Sequence, residues 1–182
     1  MATVSASPGV LSSPGASRTE KTELPISVLH SEGVVHGFLI LRTREGETLA
    51  DGYLSQLTHG DRLTSRLVFH FKDGSLFDET VVFSQRRIFR LRHYRLLQKG
   101  PAFKEPMTFT IDGASGRVNV RYTEKSGQEK TIDEQLNLPA NLANGIIFTL
   151  LKNIRPGTPQ ISGCSFSHTK ATHRETFNLS RR

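Results

Sequence analysis

With 182 residues, the chain can build one domain that hides enough apolar surface to fold without disulfides or metals. Lys and Arg number 24 against 17 Asp and Glu, and this formal charge of +7 would suit an anionic partner. The basic residues never form a block of about five or six like charges, so we interpret them as a solvated surface and do not expect nucleic acid as the partner.

The cysteine content and the apolar runs exclude several classes of protein. Cys164 is the single cysteine, so an internal disulfide is impossible. The longest apolar run, 146–151, is far shorter than the roughly 18 residues of a membrane helix. Ser and Pro interrupt residues 1–25, which therefore predict a disordered tail and no signal peptide. As written, the sequence predicts a cytoplasmic protein without a transmembrane segment.

Alternating apolar and polar residues predict antiparallel strands from residue 34 to residue 138. Turns that contain Gly or Pro separate the strands, because these residues either accept a positive φ or interrupt the hydrogen-bond ladder. The predicted strands are 34–42, 49–57, three consecutive strands within 64–99, then 107–111, 118–122 and 130–138. Strands that follow one another through short turns predict a meander.

Residues 139–153, PANLANGIIFTLLKN, predict the one helix. Leu142, Ile146 and Leu150 recur at i, i+4 spacing, which is typical of a helix that packs on a sheet. Gly145 would cost this helix about 1 kcal/mol against alanine, which suggests a close approach to the sheet.

The predicted fold class is therefore mainly β (α+β). We expect a curved antiparallel meander sheet, forming a partial barrel, that wraps one C-terminal helix. This single domain would span 26–155. The polar composition after Pro156 predicts that residues 156–182 are poorly ordered.

The three strands within 64–99 also predict a register. A three-residue loop ending at Gly74 pairs odd positions with odd positions, which places the phenylalanines on one apolar face. A three-residue loop at 85–87 would then set Phe83 against Phe89, Val81 against Leu91, and Glu79 against His93. We expect Glu79 and His93 to contact each other there, because each satisfies the other's polar group.

This apolar face is the candidate site for an apolar or lipid-like small molecule, with the Glu79–His93 pair as a polar anchor. The alternatives are a purely structural pair, a helix that fills the concavity, or an acid/base couple in a small hydrolase or isomerase. The assigned ligand-binding residues are Phe69, Phe71, Phe77, Glu79, Val81, Phe83, Phe89, Leu91 and His93. We assign no catalytic residue, and the oligomeric state is not predicted.

Three further groups could carry chemistry, and each also has a plain interpretation. Cys164, His168 and His173 could begin a zinc site, but a fourth ligand is missing, so no metal site is assigned. His59 and Asp61 could form an acid/base pair, although turns favour both residues. The arginines at 86–95, with Tyr94 on the side of Arg90 and Arg92, could bind a polyanion or keep a strand face soluble. No cofactor fingerprint is present.

Four segments carry a resemblance to a known family. GDRLTSRLVFHFKDGSLFDETVVFSQ, LQKGPAF, the run 111–122 and LPANLANGIIFTLLKNI resemble a family of uncharacterised, hypothetical bacterial proteins over residues 34–155. The resemblance implies an exported protein whose curved antiparallel sheet is similar to that of lipoprotein carriers and related apolar-ligand folds. It implies a signal peptide before the matched region and further strands after 170–173, but no catalytic residues.

Overall fold

The computed structural model describes residues 26–124, 126–139, 142 and 144–153, and the backbone alone of 161–167 and 170–177. The predicted disordered tail, 1–25, lies outside the described residues.

Eight strands form one antiparallel sheet, in which each strand pairs with its neighbours in the sequence. The sheet is open within the described residues, because β1 and β8 form its two edges. The predicted mainly β fold is confirmed. The strands are β1 (Val35–Arg42), β2 (Thr48–His59), β3 (Arg62–Phe71), β4 (Leu76–Arg86), β5 (Ile88–Lys99), β6 (Met107–Asp112), β7 (Arg117–Thr123) and β8 (Glu129–Gln135).

A second, two-stranded antiparallel sheet follows, formed by β9 (Ile161–Ser167) and β10 (Lys170–Phe177). Both strands lie in the segment 156–182, for which we expected poor order. Serine, threonine and charged residues dominate them, so their apolar alternation is too weak to predict strands from the sequence.

The loop between β3 and β4 has the predicted three residues. The Phe71 N–H donates to the Ser75 carbonyl over 2.9 Å, and Gly74 adopts the positive φ of 83° that closes such a loop. Phe69 consequently pairs with Phe77, so odd positions face odd positions along both strands. This half of the register prediction is confirmed.

The predicted register between β4 and β5 is wrong, because both its turn and its ladder differ. Arg86 pairs with Ile88, so Arg87 alone forms the turn, with a φ of 65°. The ladder then shifts between Leu91 and His93, where Arg92 is an extra residue without a partner on β4. Such a β-bulge exchanges the faces on which the following side chains lie.

The bulge brings Tyr94 to the face where we expected His93. Val81 pairs with Tyr94, and Glu79 pairs with Leu96. His93 is exposed and lies on the opposite face of the sheet. The predicted contact between Glu79 and His93 is therefore wrong. Before the bulge, the one-residue turn already sets Phe83 against Leu91 and not against Phe89.

Helix α1 (Ile147–Asn153) is only the second half of the predicted helix. Gly145 has a φ of 69°, which an α-helix cannot accommodate, so Asn144 and Gly145 form a turn and the helix begins after them. Leu142, Ile146 and Leu150 are nevertheless all buried and pack with one face of the sheet, called the core face below. The buried sheet side chains of this core are Leu63, Val81, Phe83, Phe89, Leu91, Tyr94, Phe109, Ile111, Val118 and Val120.

Gly145 lies directly against the sheet. A Cβ atom at this position would stand 3.1 Å from the Val81 Cβ and 3.2 Å from the Tyr94 Cε2. Both neighbours are buried, so neither side chain can move aside freely. The close approach that the sequence suggested is present, although Gly145 precedes the helix and is not inside it.

We expect Gly145→Ala to destabilise the fold by about 1–3 kcal/mol, because alanine is strained at positive φ and would crowd the core. For a domain of this size, each kcal/mol lowers the melting temperature by about 2–4 °C. Thermal unfolding followed by circular dichroism measures the change. Gly37→Ala is the control, since no atom lies within 4 Å of its added Cβ. Equal melting temperatures for the two variants would contradict this packing.

Candidate functional site

Part of the core face is not covered by the helix. Leu54, Leu67 and Glu79 oppose one another across β2, β3 and β4, and Phe69 opposes Phe77 in the adjacent row. All five side chains are half-buried. The four apolar ones lie outside the core cluster formed by the described residues. We call Leu54, Leu67, Phe69, Phe77 and Glu79 the apolar trough.

The backbone of β2 allows the trough to form. Gly52 pairs with Phe69, and a Cβ at Gly52 would stand 2.8 Å from the Phe69 ring and closer still to the Val68 carbonyl. The absent side chain therefore lets the Phe69 ring lie over β2. The rings of Phe69 and Phe77 are 6.4 Å apart, which is within the range of favourable aromatic pairs.

The nine predicted ligand-binding residues fall into three groups. Phe69, Phe77 and Glu79 line the trough, while Phe71 is half-buried nearby and packs against Phe103 with ring centroids 5.5 Å apart. The exposed His93 lies on the opposite face of the sheet, called the outer face. The remaining four, Val81, Phe83, Phe89 and Leu91, are buried in the core, where they support the trough and offer little surface to a ligand.

Glu79 is the carboxyl group of the trough. Its neighbours across the ladder are Leu67 and Leu96, and the Tyr94 hydroxyl donates to its Oε1 atom over 2.8 Å. Burial raises the pKa of Glu79, and the hydrogen bond from Tyr94 opposes this rise only in part. The carboxyl group can accept a hydrogen bond from a ligand when it is ionised and donate one when it is protonated.

Because the pKa of Glu79 is raised in the folded state, this group lowers stability as the pH rises from its unfolded pKa through its folded pKa. We therefore expect Glu79→Gln, which keeps the acceptor for Tyr94, to raise the melting temperature at pH 7 by about 2–4 °C. The gain should vanish near pH 4, where the unfolded chain is also largely protonated. Thermal unfolding from pH 4 to pH 8 tests this.

Glu45→Gln is the control for that experiment, because Glu45 is exposed in the turn between β1 and β2. A Glu79→Gln variant that is less stable than the wild type at pH 7, or a gain that does not depend on pH, would contradict the assignment.

Ion pairs bridge neighbouring strands on the outer face. The Arg66 guanidinium donates to both carboxylate oxygens of Asp78 over 3.0 and 2.9 Å, which raises the pKa of Arg66. Arg117 pairs with Asp133 in the same way. A shallow depression of about 290 Å³ lies beside this second pair and includes His93. Asp133 therefore engages the guanidinium group of Arg117, the one arginine that lines this depression.

A different depression, of about 430 Å³, lies at the turn between β4 and β5. Four arginines line it, and we call it the arginine depression. Tyr94 is only 4% exposed and belongs to the core, so it does not lie on the side of Arg90 and Arg92 and cannot stack a base beside them. The lining residues are Asp61, Ser84, Arg86, Arg87, Ile88, Arg90 and Arg92.

The other candidate groups bring little together. His59 ends β2 and Asp61 lies in the turn that follows; both are exposed, and no hydrogen bond joins these two described residues. His168 and the side chains of Cys164 and His173 lie outside the described part of the chain. Within that part, no three residues of His, Cys, Asp or Glu form a group that could hold a metal. Its helix is too short to cross a membrane.

Comparisons with known proteins add no identity to this geometry, since no family model, curated protein or solved structure matches the chain. The resemblance to exported bacterial proteins therefore stays a prediction.

Proposed function

We propose that the protein binds an apolar or lipid-like small molecule in the apolar trough, without catalysing a reaction. One observation carries this proposal. Four apolar side chains of the described sheet, Leu54, Leu67, Phe69 and Phe77, are half-buried beside the core but do not belong to it. Apolar surface that a fold leaves accessible and contiguous often marks a binding site.

The chemistry of the trough defines the class of ligand. Burial of an apolar chain against these side chains would contribute about 25 cal/mol per Å² of surface removed from water. Glu79 would anchor a hydroxyl or amide group at the end of that chain, where the carboxyl already accepts a hydrogen bond from Tyr94. The ligand would thus combine an acyl-like or isoprenoid-like chain with a small polar head.

The alternative function, a small hydrolase or isomerase, would require Glu79 and His93 to act together as a catalytic pair. Glu79 lies on the core face and His93 on the outer face, so the sheet separates them. A general base and its partner must lie within hydrogen-bond reach of each other or of the same substrate atom. Glu79 and His93 therefore cannot act as an acid/base couple, and the binding function is favoured.

Titration with N-phenyl-1-naphthylamine, a neutral apolar fluorophore, tests the proposal. We expect saturable binding to the wild-type protein, with a blue-shifted emission that a long-chain alcohol displaces. Phe69→Gln should weaken this binding at least about fivefold, because it removes most of the apolar surface of one trough side chain.

The matched control is Phe38→Gln on the outer face, where Phe38 is 85% exposed. It should change the affinity less than about twofold, and circular dichroism should show that both variants fold. Absence of saturable binding, or equal losses in the two variants, would refute the trough as the binding site.

A further inference from the structure

We propose that the arginine depression is a second binding site, specific for a phosphate group, either inorganic or carried as a phosphomonoester. Arg86, Arg87, Arg90 and Arg92 line one depression at the end of the β4–β5 hairpin. Guanidinium groups present several donors in a planar fork that matches the oxygens of a phosphate. The site lies at the opposite end of β4 from Phe77 and Glu79, so it is distinct from the apolar trough.

Four positive charges meet in the depression, and one carboxylate stands among its lining residues. Among the described residues, no ion pair involves Arg86, Arg87, Arg90 or Arg92. Two other arginines of the outer face, Arg66 and Arg117, do pair with aspartates. Asp61 is the one carboxylate that lines the depression. The positive charge is therefore concentrated at the place where the surface is concave, which favours an anion.

The backbone at Arg87 gives a second, independent observation. Arg87 is the one non-glycine residue with a positive φ, at 65°, in the described chain. Glycine would adopt this conformation without strain, whereas a residue with a Cβ pays for it. The strain at Arg87 is explained if its positive charge is needed to bind an anion. Arg87 itself lines the depression.

The turn is also held rigidly. The Val28 N–H donates to the Arg87 carbonyl over 2.8 Å, and the Phe89 N–H donates to the Ile26 carbonyl over 2.9 Å. Ile26 is buried in the core, so the segment before β1 links the tip of the hairpin to the core. A fixed backbone reduces the entropy that would be lost when the arginines close on a ligand.

The β-bulge adds the fourth guanidinium to the site. Arg90 pairs with Ser84, which is only 4% exposed, and Arg92 is the extra residue of the bulge. Arg92 lines the same depression as Arg90, whereas His93 lines the other one. The residues that line the arginine depression include no aromatic side chain. Single-stranded nucleic acid is usually held by stacking on such side chains, so a compact phosphate fits this site better than a base does.

Isothermal titration with pyrophosphate in about 150 mM NaCl tests the proposal on the full chain. Arg86→Gln combined with Arg90→Gln should weaken binding at least about tenfold, because each substitution removes charge-assisted hydrogen bonds. Arg44→Gln combined with Arg121→Gln is the control, since both residues are exposed and the net charge falls by the same amount. Equal losses in the two double variants would overturn the site.

Arg87→Gly separates binding from stability. Glycine relieves the positive φ, so we expect a melting temperature equal to or above that of the wild type, together with pyrophosphate binding that is at least about threefold weaker. Unchanged binding in a folded Arg87→Gly variant would overturn the role assigned to this residue. This variant also leaves N-phenyl-1-naphthylamine binding in the trough unchanged, so the two sites can be tested independently.

Three probes then distinguish the source of the phosphate. Binding to phosphatidylcholine vesicles that contain phosphatidic acid, displaced by pyrophosphate, supports the site and assigns it to a lipid headgroup. Binding of pyrophosphate without binding to these vesicles supports it and assigns it to a soluble phosphate. Binding of oligothymidylate without binding of pyrophosphate overturns the proposal, as does the absence of binding to all three probes.

Discussion

The β-bulge at Arg92 decides which side chains of β5 reach the core. Phe89 and Leu91 face the helix before the bulge, and Tyr94 and Leu96 take the same face after it. In an uninterrupted strand, odd positions would continue inward and would carry His93 and Arg95 into apolar surroundings. Burial of an unpaired guanidinium there would cost several kcal/mol. One extra residue thus allows a strand rich in arginine to contribute an apolar face to the sheet.

The other features of the core face depend on this register. Because Tyr94 faces inward, it packs with Val81 against Gly145 and donates to Glu79. The segment before α1 covers the sheet at this position, whereas the half-buried trough begins at Glu79. The same bulge directs Arg92 into the arginine depression. A single local irregularity therefore decides which side chains of β5 join the core and adds Arg92 to the cationic site.

Sequence reasoning succeeded where regular periodicity and turn chemistry agree. The eight-strand meander follows from alternation and from glycine turns such as Gly74, and that loop also fixed the register of β3 and β4. The bulge was missed although a signal exists, since the apolar positions 89, 91, 94 and 96 contain one gap of three. Glu79 was placed on the correct face, but its partner proved to be Tyr94, because face assignment beyond a bulge requires the position of the extra residue.

Tertiary contacts account for the remaining differences. The i, i+4 pattern of 139–153 correctly identified the buried side chains, but Gly145 restricts the helix to its last seven residues. The clustering of four arginines in one depression depends on a one-residue turn and on the bulge, which strand periodicity cannot predict.

Cross-strand nuclear Overhauser effects between backbone protons of β4 and β5 test the register most directly. Effects that link Val81 with Tyr94 and Glu79 with Leu96 are expected, because these residues are directly opposed after the bulge. Effects that link Val81 with His93 and Glu79 with Arg95 would show that the ladder continues from the Arg87 turn without a bulge, and they would contradict this account of the core face.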